Sequence, residues 1–105
     1  MKTIAIAGTF DSKGAEYLYV KKLIESFGVK TFTIHIGVFE PEFEPDVSNR
    51  EVAIAVKANI DEIVQKRDRA LATELLSKGI EVLLPQLYEQ GKFDGILSFG
   101  GSDPA

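Results

Sequence analysis

The spacing of apolar residues changes along the chain and predicts alternating strands and helices. Residues 4–7 form a strand-length apolar run, and residues 30–38 are rich in β-branched side chains and predict a second strand. Between them we predict an amphipathic helix over about 12–27, ending at Gly28. Its packing face is formed by apolar residues at helical spacing: Val20, Leu23, Ile24 and Phe27. A strand, a helix and a strand in this order predict a right-handed crossover and a parallel pair.

The middle of the chain predicts a loop followed by several helices. Residues 39–47 contain two prolines and four acidic residues, but their spacing lacks the glycine and terminal glutamate of an EF-hand, so a solvated loop is favoured over a calcium site. Ser48 with Glu51 is a capping box that opens a helix, and Asn59 with Glu62 repeats that pattern. A further helix is predicted from Asp68 to about residue 79.

Residues 80–90 are ambiguous, because they fit a helix or a strand ended by Pro85. We favour a helix, bent at Pro85 and stopped by Gly91, since four apolar residues match the helical period. Residues 93–99 then predict a third strand. With this strand beside the first, the expected fold is α/β, a Rossmann-like open parallel sheet of order 2-1-3 with flanking helices. Ligands of such sheets bind at the carboxyl edge, where the strand order reverses.

The first loop, residues 8–14, is the leading candidate for chemistry. A glycine-bearing turn that leads into a helix N-terminus gathers backbone N–H groups and can hold phosphate. Lys13 adds a cation, and Asp11 adds a metal or hydroxyl partner. The loop matches neither the P-loop nor the GxGxxG pattern, and an ordinary turn with Asp11 or Ser12 as helix N-cap has about equal weight. The same choice, ligand loop or flexible chain end, applies to Gly100, Gly101 and Ser102.

Composition excludes several classes of function. A net charge of −4 and a pI near 5.0 argue against a general nucleic-acid or anionic-membrane surface. The absence of cysteine excludes disulfides and suits the cytoplasm. His35 is the only histidine, and we interpret it as a satisfied core or edge residue rather than a catalytic base. A Ser-His-Asp hydrolase is disfavoured because GxSxG is absent.

Several sequence blocks occur in the order typical of one family. They are GTFDSKGAE, PDVS followed by EVA, the Asp68-Arg69-Ala70 and Ser77-Lys78-Gly79 regions, Leu87-Tyr88 with Gly91, and FDGILSFGGS. In this order they resemble the amino-terminal segment of the uncharacterised family that includes a plant tobamovirus-resistance protein with an ATP-binding amino-terminal domain. The resemblance spans nearly the whole chain.

The resemblance implies a Rossmann-like module that binds a nucleotide, ATP being the expected one. Asp11 is a candidate for holding Mg²⁺ on a bound triphosphate, with a helix N-cap role as the alternative. The implied nucleotide-binding residues are those of the two glycine loops: Gly8, Thr9, Asp11, Ser12, Lys13, Gly14, Gly100, Gly101 and Ser102. It also implies that residues 1–105 are the amino-terminal part of a nucleotide-binding domain, truncated after the second loop and followed in complete members by a barrel-like domain. His35 stands where the family tends to have Asp, which weakens the case for a ribose contact there.

Two hypotheses therefore remain open. The first is a nucleotide-binding module; because no residue stands out as a general base for water, the sequence leaves catalysis undecided. The second is an assembly module, in which apolar helices and an unpaired edge of the third strand serve self-association or docking to a barrel-like partner domain. Under the second hypothesis the glycine loops are only turns.

Overall fold

A computed structural model describes residues 2–98. Three strands, β1 (Thr3–Gly8), β2 (Lys30–His35) and β3 (Gly95–Ser98), form a parallel sheet of order β2-β1-β3. The predicted α/β fold and strand order are therefore confirmed. Parallel pairing places the carboxyl ends of the strands at one edge of the sheet, which is where a ligand site is expected.

Four helices connect and cover the strands: α1 (Gly14–Ser26), α2 (Asn49–Ile54), α3 (Ile60–Gln65) and α4 (Arg69–Glu89). Side chains alternate between the two faces of a strand, so the sheet has two separate cores. On one face Ile6 packs with Phe10 and Tyr17 near α1. On the other face Ala5, Ala7 and Ile34 pack with residues of α2, α3 and α4. No helix within residues 2–98 has both the length and the apolar character needed to cross a membrane.

Two hydrogen bonds between Thr3 and Asp94 join β1 to the start of β3 at the amino edge of the sheet. The Thr3 N–H donates to the Asp94 carboxylate at 2.9 Å, and the Asp94 N–H donates to the Thr3 carbonyl at 2.8 Å. From there β1 and β3 are in register, with Ile4 opposite Gly95. The Asp94-Gly95 pair thus aligns the first and third strands at the amino edge of the sheet.

The packing face and N-cap of α1 differ from the prediction. Leu23 and Phe27 are exposed, whereas Tyr17 is buried and Ile24 is partly buried against the same core. Phe27 is exposed because it lies at the C-cap, beyond the last turn that covers the sheet.

Lys13, not Asp11 or Ser12, is the N-cap residue of α1, and no side chain caps the helix. The predicted termination at Gly28 is confirmed, since Gly28 has φ +80.

Strand β2 is shorter than predicted, and the loop after it is largely exposed, as predicted, but returns to the strand at its end. β2 ends at His35, whose buried side chain binds the two adjoining loops. Val47 returns to form a parallel bridge with Ile34, and the Asp46 carboxylate accepts hydrogen bonds from the Thr33 N–H (2.8 Å) and hydroxyl (3.1 Å). The outer edge of β2 is therefore partly covered by its own connection.

The predicted break at Gly79 is wrong, because α4 continues as one 21-residue helix. Gly79 is buried in the middle of this helix, and a Cβ atom placed there would collide with the carbonyl oxygen of Val52 in α2. The glycine marks a close helix–helix contact rather than a helix end. Pro85 lies inside α4, which agrees with the helix we favoured for this segment.

We expect Gly79→Ala to destabilise the protein. Alanine at a free helical site would stabilise it by roughly 0.5–1 kcal/mol, but overpacking against the Val52 carbonyl costs about 1–3 kcal/mol, so a net loss is expected. Urea denaturation measures the change. Ser77→Ala, an exposed position of the same helix, is the control, with an expected change within about 0.5 kcal/mol. Stabilisation by Gly79→Ala would show that α2 and α4 do not pack closely there.

Candidate functional site

A cavity of about 170 Å³ lies at the carboxyl edge of the sheet. It is formed where the loop after β1, the residues after β2 and the first turns of α4 meet. The lining residues are Thr9, Asp11, Ser12, Ile36, Gly37, Val38, Arg69 and Thr73. Among the described residues, this lining therefore includes three residues that carry hydroxyl groups, one arginine and one aspartate, at the edge where open α/β sheets bind ligands.

His35 joins the two loops that form this cavity. Its Nδ1 accepts hydrogen bonds from the N–H groups of Phe10 (3.2 Å) and Gly37 (3.3 Å). Its Nε2 lies 2.7 Å from the carbonyl oxygen of Phe39 and must therefore donate to it. The ring is fully buried and stacks on the Phe10 ring, with centroids 5.5 Å apart. This geometry requires the neutral tautomer protonated at Nε2, and it confirms the interpretation of His35 as a satisfied core residue.

Asp11 forms a second link between the same loops. One carboxylate oxygen accepts from the Ser12 N–H at 2.9 Å, and the other accepts from the Phe39 N–H at 3.0 Å. Gly37 must be glycine at this point, because a Cβ atom there would meet the Asp11 carboxylate and the His35 ring. Asp11 is therefore a structural link as well as part of the cavity wall.

Asn49 binds the backbone of the loop that follows β2. Its buried side-chain amide donates to the carbonyl oxygens of Gly37 (2.9 Å) and Val38 (3.3 Å). Asn49 is the first residue of α2, which the predicted capping box of Ser48 and Glu51 begins. The capping box thus sets where Asn49 meets the loop. The backbone of this loop is therefore held by His35 and Asp11 together with Asn49, without a ligand.

The two glycines of the predicted phosphate loop are explained by packing. A Cβ atom at Gly8 would collide with the Tyr17 ring, and one at Gly14 would lie 2.6 Å from Cβ of Glu42. The Glu42 carboxylate lies against Gly14, at the positive end of the α1 dipole, where an anion would otherwise be attracted. A phosphate at the tip of α1 would therefore have to compete with a carboxylate of the protein itself.

The other predicted residues fall into three groups. Thr9 and Ser12 join Asp11 in the cavity lining. Lys13 is exposed and lies outside that lining. Gly100, Gly101 and Ser102 lie outside the described residues.

Sequence reasoning missed Arg69 and Thr73. They lie four residues apart in the first turns of α4, so they share one helix face, and both line the cavity. Asp68 caps this helix by accepting from the Leu71 N–H at 3.0 Å, which fixes the start of α4 beside the loops. The available signal was the Asp68-Arg69-Ala70 block, which entered the resemblance without an assigned role.

The acidic loop lines a separate, open groove of about 580 Å³ that includes Glu40, Glu42, Glu44 and Glu51. Arg50 at its rim pairs with Glu40 (3.1 Å) and with Asp61 of α3 (2.9 Å). The hydrogen bond from the Arg50 guanidinium lowers the pKa of Asp61 below its usual value.

Within residues 2–98, no group of three or more histidine, aspartate or glutamate side chains is placed to hold a metal ion.

The sheet order, the crossover helices and the cavity at the carboxyl edge define a Rossmann-like α/β domain. The chain belongs to the uncharacterised protein family UPF0261, whose N-terminal domain it matches over residues 2–105. A UPF0261 protein of Clostridium tetani is 37% identical over 102 residues, covering 96% of this chain and 25% of its own length. A UPF0261 protein of Brucella suis is 31% identical over 100 residues, covering 94% of this chain and 24% of its own length.

The chain thus spans about a quarter of the length of these relatives. A UPF0261 protein of Rhizobium meliloti is 26% identical over 101 residues, with similar coverage. No solved structure matches the chain.

We expect His35→Leu to destabilise the protein by about 3 kcal/mol, because it leaves two buried N–H groups and a carbonyl without their partner. Chemical denaturation measures the loss. His35→Gln is the matched variant: its amide oxygen can accept and its NH₂ can donate, so it should recover part of the stability. Equal losses in both variants would indicate that ring packing, not hydrogen bonding, is the main contribution of His35.

Proposed function

We propose that this domain binds a phosphate-bearing small molecule, ATP being the leading candidate, in the cavity between the β1 loop, the β2 loop and α4. The observation that carries the proposal is that residues able to donate to phosphate line this cavity: Arg69, Thr9, Ser12 and Thr73. Guanidinium and hydroxyl groups donate hydrogen bonds to phosphate oxygens, and the bond from a guanidinium is charge-assisted.

The position of the cavity supports the same proposal. In open parallel sheets, ligands bind outside the carboxyl ends of the strands near the point where strand order reverses. Both loops at this edge are already held by His35, Asp11 and Asn49, so little ordering is needed on binding. The cationic partner in this proposal is Arg69, since Lys13 lies outside the cavity and Glu42 covers the tip of α1.

Magnesium fits the proposal only as a companion of the phosphates. Asp11 is the carboxylate that residues 2–98 contribute to the cavity lining, and both of its oxygens already accept hydrogen bonds from backbone N–H groups. Mg²⁺ is commonly held by one or two carboxylates together with substrate phosphates and water. Asp11 would be the protein ligand in that arrangement.

In the complete relatives we propose that this domain is the amino-terminal, nucleotide-binding part of a larger two-domain protein. The proposal is supported by the family match to an N-terminal domain and by the coverage of about a quarter of the relatives' length. The resemblance to the family that includes a plant tobamovirus-resistance protein with an ATP-binding amino-terminal domain supports ATP as the nucleotide to test first.

We expect the chain to bind ATP saturably and Arg69→Ala to weaken that binding about tenfold or more. The expected factor follows from the loss of a charge-assisted hydrogen bond, about 1.5–3 kcal/mol. Isothermal titration calorimetry with ATP, with and without Mg²⁺, measures the change. Lys92→Ala, at an exposed position near the opposite edge of the sheet, is the charge-matched control and should leave the affinity unchanged.

Lys13→Ala separates two positions for the phosphates. Little change would favour the cavity beside Arg69, whereas a loss equal to that of Arg69→Ala would favour the tip of α1. Absence of saturable binding by the folded chain would contradict the proposal and leave the loops with a structural role only.

A further inference from the structure

A second cavity, of about 180 Å³, adjoins the first. Val38 and Arg69 line both. The remaining lining of the second cavity is Phe39, Val64 and Arg67. One compartment therefore offers hydroxyl groups and a carboxylate, and the other offers an aromatic ring, aliphatic side chains and two arginines.

The Phe39 ring is exposed at a backbone position that is held firmly. Phe39 is 49% exposed, although the chain has two apolar cores available. Its N–H donates to Asp11 and its carbonyl accepts from His35, so the two hydrogen bonds that join the loops also fix this residue. The guanidinium of Arg69 lies over the ring, 5.8 Å from its centroid. The guanidinium is on one side of the ring, so a ligand would stack on the opposite face of a ring whose backbone is already fixed.

The volumes of the two cavities indicate whether a ligand occupies one of them or both. Each cavity is smaller than the roughly 300 Å³ at which ordinary ligand sites begin, but the two together exceed that value. A phosphate group alone would use only the polar compartment. A ligand that fills both must combine an anionic part with a flat, largely apolar part.

We propose that the second cavity receives the aromatic base of a nucleotide whose phosphates occupy the first, with Phe39 as the stacking residue and Arg69 contacting both parts of the ligand. This inference rests on the proposed function and narrows it. It assigns the ligand class as nucleotides rather than sugar phosphates or inorganic polyphosphates. Phe39 is then a specificity-determining residue.

Calorimetric titration of ATP and of inorganic triphosphate into the same proteins tests the assignment. The wild-type chain should bind ATP more tightly than triphosphate. Phe39→Ala should weaken ATP binding about tenfold, as expected for loss of one base–aromatic stack, and should leave triphosphate binding within about twofold. Phe39→Tyr keeps an aromatic face and should retain ATP binding. Phe27→Ala, which removes a ring 77% exposed at the end of α1, is the control and should change neither affinity.

The outcomes separate the two proposals. If the wild-type chain binds neither compound, the proposed function fails and this inference fails with it. If it binds both compounds equally and Phe39→Ala has no effect on ATP, the phosphate site stands and the base site is overturned. If Phe39→Ala lowers both affinities equally while circular dichroism shows an intact fold, Phe39 supports the loops and is not a base-stacking residue.

Discussion

The candidate site depends on one buried imidazole. His35 ends β2, and its side chain replaces the sheet hydrogen bonds that are no longer available beyond the strand. A buried backbone N–H or carbonyl without a partner is costly, so a side chain that satisfies three such groups at once determines the path of both loops. Glutamine offers similar groups but not the flat ring, which also stacks on Phe10. Gly37 and Phe39 are bound directly by this side chain, and Asp11 binds Phe39 beside it.

Close packing explains why glycines surround the site. Gly8 lies beneath the Tyr17 ring, Gly14 against Glu42 and Gly37 against Asp11. In a glycine-rich phosphate loop the missing side chains allow a ligand to approach the backbone. Here the missing side chains allow other parts of the protein to approach, so the charge that attracts an anion must come from a side chain. In the proposed site that side chain is Arg69, which reaches the cavity from a helix distant in sequence.

The surface of the domain is uneven in its apolar character. The outer edge of β2 is partly covered by the Val47 bridge, and the face of the sheet beneath α2 and α4 contains a continuous core. On α1, by contrast, Tyr19, Leu23 and Phe27 form an exposed row at successive four-residue intervals. Helical periodicity identifies such residues as sharing a face, but it does not say whether that face meets the sheet or the solvent.

Local patterns in the sequence determined most of the elements. The strand runs, the Ser48–Glu51 capping box and the stops at Gly28 and Gly91 depend on neighbouring residues, so they were predictable, as was the 2-1-3 order. Gly79 was misinterpreted because its local signal is that of a helix end, whereas its reason is the Val52 carbonyl of another helix.

The site required tertiary structure for the same reason. Thr9, Asp11 and Ser12 were identified because they follow β1, but Arg69 and Thr73 reach the cavity only through the docking of α4. Likewise, His35 was correctly assigned to the core from its strand, yet its three partners are set by loop contacts. The sequence alone determined the elements, their order and one wall of the cavity. Tertiary structure decided which glycines are packed over and which cation faces the cavity, because both depend on contacts between residues far apart in the chain.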